Sequence, residues 1–311
     1  MALNRAERHL VAASPTFGQR LERVVDRYLP YLLVAPAILL LLGLIAYPLI
    51  FNLNLSLRDV SILNIRSGNW DWIGLRNYVR TIQNPDNISA FGRTVVFLIA
   101  TVSLELVLGM LAAIVFNINF RGKGFLLTLA LVPMMITPVA VGLIWRMLLN
   151  AQWGIVNYYL GVVGLPAVVW LGTPTTAFIS VILVEVWWGV SFVILVFLGG
   201  LSALPPEPFE AAAIDGASSW QIFRYITLPL MVPLIIVVAT IRAIDAFRAF
   251  DVIYSLTQGG PADATRVYAL QIYQTGFQNA NFGLAAAQAM LLFVVVMILS
   301  SGLIRGLVRS D

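Results

Sequence analysis

Seven ionisable residues lie within or at the end of long apolar runs: Glu105, Arg146, Glu185, Arg242, Asp245, Arg248 and Asp251. A charge at bilayer depth is costly, so it pairs, faces a cavity or relays protons. Glu105, Glu185, Arg242 and Asp245 fall about 12–16 Å below the outer surface at the helical rise of about 1.5 Å per residue. Arg146 and Arg248 lie shallower and can snorkel outward. These six balance, three acids against three arginines, which predicts paired groups. Arg242, Asp245, Arg248 and Asp251 alternate in sign at every third residue, and such neighbours can pair along a helix. Each step turns the face by about 60°, so the four do not share one seam. Two roles stay open for Arg242, Asp245 and Arg248. They form an internal ladder that ties helices together, or they line a substrate cavity. Trp187 and Trp188 follow Glu185. Adjacent helical residues point about 100° apart, so at most one of the two faces a common path.

Other chemistry is excluded by absence. The chain has no cysteine and one histidine, His9, in a polar tail. Disulfides, thiolate metal sites, Cys nucleophiles and His-based triads or metal centres are therefore out. Its single lysine, Lys123, lies in Arg-Gly-Lys-Gly, which lacks the spacing of a phosphate-binding loop.

The elements that position these charges are membrane spans. Hydrophobic residues make up 60% of the 311 and charged residues 11%, against about 25% charged in soluble domains. The formal net charge of +4 gives no case for a nucleic-acid partner. Spans need about 20 mostly apolar residues. Six stretches qualify: Tyr31–Phe51, Thr94–Asn117, Phe125–Leu149, Thr176–Leu198, Met231–Ile253 and Leu284–Leu303. No signal peptide is read, and no pair of broken helices of the kind common in secondary transporters. Before the first span, Phe17, Leu21, Val24, Val25 and Tyr28 recur at helical spacing with Arg20, Arg23 and Arg27 on other faces. That pattern predicts an interfacial helix in the inner headgroup layer.

Basic residues set the direction. Arg5, Arg8, Arg20, Arg23, Arg27, Arg121, Lys123, Arg224, Arg305 and Arg309 lie on one side. Arg58, Arg66, Arg76, Arg80, Arg93 and Arg266 lie on the other. The bias puts both termini in the cytoplasm.

The inner loop between the fourth and fifth spans, Leu201–Pro229, is far longer than the 2–8 residues that usually join helices in bundles. Pro205-Pro206 can open a helix, with Glu207 and Glu210 favourably placed at its N-terminus. Gly216 can stop that helix in the left-handed conformation. Ser218 or Ser219 can cap a second helix over Trp220–Ile226. Pro229 marks the turn into the next span. The loop is a short, rigid helix–Gly–helix shaped to dock into a partner's groove.

At these residues a family resemblance enters. Glu210-Ala211-Ala212, Asp215-Gly216-Ala217, and Phe223, Ile226, Leu228 and Pro229 resemble the "EAA" coupling loop of permease subunits of binding-protein-dependent ABC importers. Phe250–Tyr254, Leu256-Thr257 and Gly259-Gly260-Pro261 resemble the stretch after the fifth span in carbohydrate permeases. Phe282–Ala287 and Gly74–Tyr78 are similar to two further family segments. Across most of its length the chain resembles the first permease of the maltose, glycerol-3-phosphate and trehalose type, without a large inserted outer domain.

The resemblance implies an all-α integral membrane protein of six spans, residues 31–307. It follows a cytoplasmic tail and interfacial helix, 1–30, and precedes a short tail, 308–311. Glu210, Ala211, Ala212, Asp215, Gly216 and Ala217 would couple to a separate ATPase. The implied partners are a second permease, two ATPase subunits that hold Mg-ATP, an extracytoplasmic solute-binding protein and a carbohydrate ligand. No cofactor or metal is expected in this chain, and the location implied is the bacterial inner membrane. For a sugar, hydroxyl partners and an aromatic face are needed, and Glu185 with Trp187 or Trp188 can supply both. The competing readings are a proton-coupled secondary transporter, in which the acids are relays, and a membrane-embedded enzyme or scaffold subunit.

Overall fold

The computed structural model describes the backbone of residues 17–68 and 70–308, and the side chains of 28–68 and 70–302. The tail before Phe17, including His9, and residues 309–311 lie outside the described residues, as do the side chains of Arg20, Arg23, Arg27 and Arg305. The chain divides into two units, Met1–Asn54 and Leu55–Asp311.

In the first unit, α1 (Phe17–Leu41) passes through one wide turn, Leu42–Ala46, into α2 (Tyr47–Ser56), which ends just inside the second unit. The amphipathic stretch from Phe17 is helical and continues into the first span without a break. Tyr28–Ser56 is apolar and long enough to cross a membrane.

The second unit carries the site. Its helices are α3 (Arg76–Gln83), α4 (Pro85–Asn117), α5 (Lys123–Leu131), α6 (Pro138–Leu148), α7 (Ile155–Val162) and α8 (Pro174–Ser202). Then follow α9 (Glu207–Ile214), α10 (Ser219–Ile222), α11 (Leu228–Phe247), α12 (Asp251–Thr257), α13 (Tyr268–Tyr273) and α14 (Phe282–Val308). Extended pairing among the described residues is limited to isolated bridges, Arg58 to Trp72 and Ser61 to Asn281. Asn84 caps α4, its side chain accepting from Asp86 N at 2.8 Å. Helices α4 and α8 approach closely because Gly109 meets Val193, where a Cβ would overlap. Asn117 and Ser202, at their C-terminal ends, are 3.5 Å apart. Those ends lie beside α9 and α10, and the starts of α4 and α8 lie at the opposite end.

Two expectations are corrected. The third span, Phe125–Leu149, is not one helix. The pieces Lys123–Met135 and Pro138–Leu148 meet at 105°. Pro133 and Pro138 each lack an N–H and so weaken the helical ladder where the chain bends. The freed carbonyls are bonded by α8: Ser191 Oγ donates to Ala130 O at 2.6 Å and Trp188 Nε1 to Ile136 O at 3.1 Å. Such re-satisfaction is what allows a broken helix at membrane depth.

The fifth span also differs at both ends. Pro229 makes no turn. Residues 219–247 are continuously helical, because a wider turn over Phe223–Thr227, with Leu228 N bonded to Phe223 O, lets the chain pass the proline. At the far end the helix stops at Phe247 rather than Ile253. The chain breaks at 248–250 and restarts as α12, which buries Val252, Ile253 and Leu256. The gain is a close crossing with α6, where Gly142 lies against Ser255 and Val252 O.

Candidate functional site

Two apolar clusters stack along the bundle. One includes Val102, Val141, Val184 and Ala246; the other includes Met110, Val193, Phe197 and Val238. Between them lies a charged layer from α4, α8 and α11. Arg242 Nε and Nη2 donate to Glu105 Oε2 and Oε1 at 2.6 and 2.8 Å, a bidentate pair. Arg242 also reaches Glu185 at 3.4 Å and Asp245 at 3.5 Å. Arg248 holds Asp245 at 2.8 Å. The layer runs from buried to open: side-chain exposure is 1% at Glu105, 5% at Arg242 and Glu185, 36% at Asp245 and 66% at Arg248. Gly189 on α8 makes room for it, since a Cβ there would overlap Arg242 Nη2 and Glu105 Oε1.

The open end of this layer faces a cavity of about 340 Å³. Its walls include Pro138, Glu185, Trp188, Asp245, Arg248, Phe250 and Asp251. The Arg242 guanidinium lies 5.7 Å from the Trp188 ring centroid, a cation–π contact that helps hold the indole in place. Chemically the cavity offers carboxylates, a guanidinium and an aromatic face, a set suited to hydroxyl-rich ligands.

Of the residues singled out from sequence, the structure brings Glu185, Trp188, Arg242, Asp245 and Arg248 together, with Glu105 as the main partner of Arg242. Trp187 turns away and packs edge-on against Trp145 at 5.4 Å. Arg146 is exposed in the last turn of α6 and stands outside the layer, which so contains three carboxyls and two guanidiniums rather than a balanced six. Asp251 does not extend the ladder on one helix, because the break at 248–250 intervenes; it opens α12 and lines the cavity instead. Sequence reasoning missed Gly189, Pro138 and Phe250. A glycine one turn after Glu185 was the available signal for the first. Among the described residues no group of three His, Cys, Asp or Glu could hold a metal ion.

At the other end of α11 lies the helical knuckle. In α9, Glu207 and Glu210 occupy the first turn. The helix ends in a Schellman motif: Gly216 has φ +71°, Gly216 N bonds to Ala213 O, and Ala217 N bonds to Ala212 O. Ser218 then forms a capping box with Gln221, at 2.7 and 3.4 Å, and starts α10. Phe209, Ile222 and Phe223 turn inward towards Ile114, Leu201 and Leu204. Glu210, Ala211, Asp215 and Gly216 are exposed, and Ala212 and Ala217 are half-buried. Ile214 is 87% exposed, Trp220 68% and Tyr225 73%. So much uncovered apolar surface on one small projection marks a contact face.

Comparison with known proteins agrees with this architecture. The family model described as binding-protein-dependent transport system inner membrane component matches residues 105–310. The trehalose/maltose transport system permease protein MalF of Thermococcus litoralis is 36% identical over 86% of this chain and 90% of its own. The sn-glycerol-3-phosphate transport system permease protein UgpA of Agrobacterium fabrum is 32% identical, covering 89% and 93%. A solved bacterial ABC transporter involved in import of the acidic polysaccharide alginate superposes with a TM-score of 0.80 at 26% identity, over 93% of this chain and 99% of that one. The third span is broken after all, yet the proton-coupled and enzyme readings give way to this match. The chain belongs to the family of binding-protein-dependent transport system inner membrane components, and is a multi-span permease of an ABC importer.

Proposed function

We propose that this permease forms half of an ATP-driven path for a sugar, polyol or sugar derivative, with both termini in the cytoplasm. A second permease completes the path, two separate ATPase subunits bind Mg-ATP, and an extracytoplasmic binding protein delivers the ligand. The carbohydrate class is supported by the named relatives and by the carboxylate, guanidinium and indole that meet in the cavity.

The observation that carries the coupling role is the unbroken helix from Ser219 to Phe247. It starts in the exposed knuckle and ends beside the cavity, so Trp220 and Arg242 ride on one element about 33 Å apart. Glu210, Ala211, Ala212, Asp215, Gly216 and Ala217 present the knuckle to the ATPase groove. When nucleotide binding shifts the knuckle, α11 shifts with it. Arg242 then carries the strain to α4 and α8 through Glu105 and Glu185. Within the cavity, Glu185, Asp245 and Arg248 offer hydrogen bonds to ligand hydroxyls, and Trp188 offers a ring face. Glu105 and the buried part of Arg242 tie the helices. Trp187 contributes packing against Trp145.

The test is uptake in vesicles holding the assembled transporter. Uptake that needs ATP and survives a protonophore supports the reading; uptake that collapses with the proton gradient refutes it.

A further inference from the structure

A second cavity, of about 320 Å³, lies at the end of the bundle opposite the knuckle, among the starts of α4 and α14 and the turn after α13. Its walls are dominated by side-chain amides, including Gln271, Gln274, Gln278, Asn279, Asn281 and Gln288. Each amide both donates and accepts, as a hydroxyl does.

Two polar atoms of residues lining this cavity are buried without a partner. Gln288 is 1% exposed, and its Oε1 has no hydrogen bond. Its orientation is fixed from behind: Asn87 Nδ2 donates to Thr81 O at 3.1 Å, so Asn87 Oδ1 must accept, and it does so from Gln288 Nε2 at 2.9 Å. The unpartnered atom of Gln288 is therefore an acceptor. Arg266 Nε is likewise a buried donor without a partner, while its Nη1 donates to Gln271 Oε1 at 3.4 Å and its Nη2 pairs with Asp263. A buried polar group left unpaired costs about 1–3 kcal/mol. The wall thus displays side-chain amides, the complement of neighbouring hydroxyls, and behind it lie one acceptor and one donor without a partner. Asp263 neutralises Arg266 and Asp86 lines the same space, which disfavours an anion. The volume is at the small end of ligand sites, which run about 300–1,000 Å³.

We propose that this cavity is an outer binding site for a neutral polyhydroxylated ligand, of the size of one sugar ring. This assignment rests on the carbohydrate reading above and makes the cavity a stop before the path beside Trp188.

The chain's lack of cysteine supplies the test. Gln278→Cys places a thiol at the outer cavity, and Ala249→Cys places one at the cavity beside Trp188. Each variant is assembled with its partner subunits in lipid nanodiscs and labelled with a maleimide, with D-glucose or trehalose as probe and potassium glutamate as control. At about ten times Kd a site is nine-tenths filled, so labelling of Gln278→Cys slows about tenfold. Gln274→Leu, or Asn279→Leu should the former not assemble, removes that protection while protection at Ala249→Cys persists. Protection at Ala249→Cys alone overturns the outer site and leaves the carbohydrate reading standing. Protection at Gln278→Cys alone keeps the outer site and refutes the role of the inner cavity. Protection at neither, a cavity that holds only water, overturns both.

Discussion

Glu105→Gln tests whether the charged layer is the tie between helices. The substitution keeps shape and replaces one carboxylate oxygen by an NH₂ that cannot accept from Arg242. Two short charge-assisted bonds, at 2.6 and 2.8 Å, become one, and the guanidinium keeps only the looser contacts to Glu185 and Asp245 at 3.4 and 3.5 Å. Breaking a buried pair costs about 3–5 kcal/mol in soluble proteins. Interhelical polar contacts in bilayers are worth less, about 0.6 kcal/mol on average, because separated helices also find partners. Arg242 is 5% exposed at the side chain and has one partner on its own helix, Asp245, so the expected loss lies between, at about 2–3 kcal/mol. Glu105→Met with Arg242→Met removes that pair but also strips buried Glu185 of its guanidinium, so it should recover only part of the loss, and adding Glu185→Met should recover more. The assay is a double-mutant cycle on unfolding of the assembled transporter in mixed micelles. A coupling energy below about 0.5 kcal/mol, within the scatter of independent sites, would refute the tie.

Three further outcomes follow from the same geometry. Gly189→Ala forces a methyl against Arg242 Nη2 and Glu105 Oε1 and should destabilise by about 1–3 kcal/mol, read in the same unfolding assay, with no effect expected from Gly199→Ala, where space is open. Gly216→Val at φ +71° should cost about 1–2 kcal/mol in the knuckle and uncouple ATP hydrolysis from uptake, whereas Gly216→Asn, which tolerates that conformation, should retain coupling. Trp188→Phe removes the N–H that serves Ile136 O and should weaken ligand affinity, measured as the uptake KM, about tenfold; Trp187→Phe, outside the cavity, should change it little.

Much of this could be read from residues. Depth and sign marked Glu185, Arg242 and Asp245 as paired, because apolar surroundings leave few alternatives. Gly216 followed by a capping serine marked the knuckle but left Ser218 and Ser219 as alternatives; the structure chooses Ser218, in a capping box with Gln221. What stayed hidden depends on pairings between distant segments. Glu105 and Arg242 are 137 residues apart, and sequence fixes neither their rotamers nor the glycine that admits them. The third span has the length and apolarity of a straight helix, and its two prolines alone do not tell a kink from a fold-back. That choice is made by donors on α8. The end of the fifth span was misplaced for a similar reason: packing of α12 on α6 outweighs continuation of the helix through residues 248–250.

The fold-back has a consequence for how the protein is made. Residues 123–148 leave the ribosome well before Trp188 and Ser191. Among the described residues, these two side chains supply the side-chain donors for the carbonyls at Ala130 and Ile136. Until α8 arrives, bending would strand those carbonyls in hydrocarbon. A segment that stays straight until α8 arrives keeps those carbonyls in its own helical ladder, so the fold-back is expected to form after α8 is in place, and a chain truncated before Trp188 should hold residues 123–148 unbent.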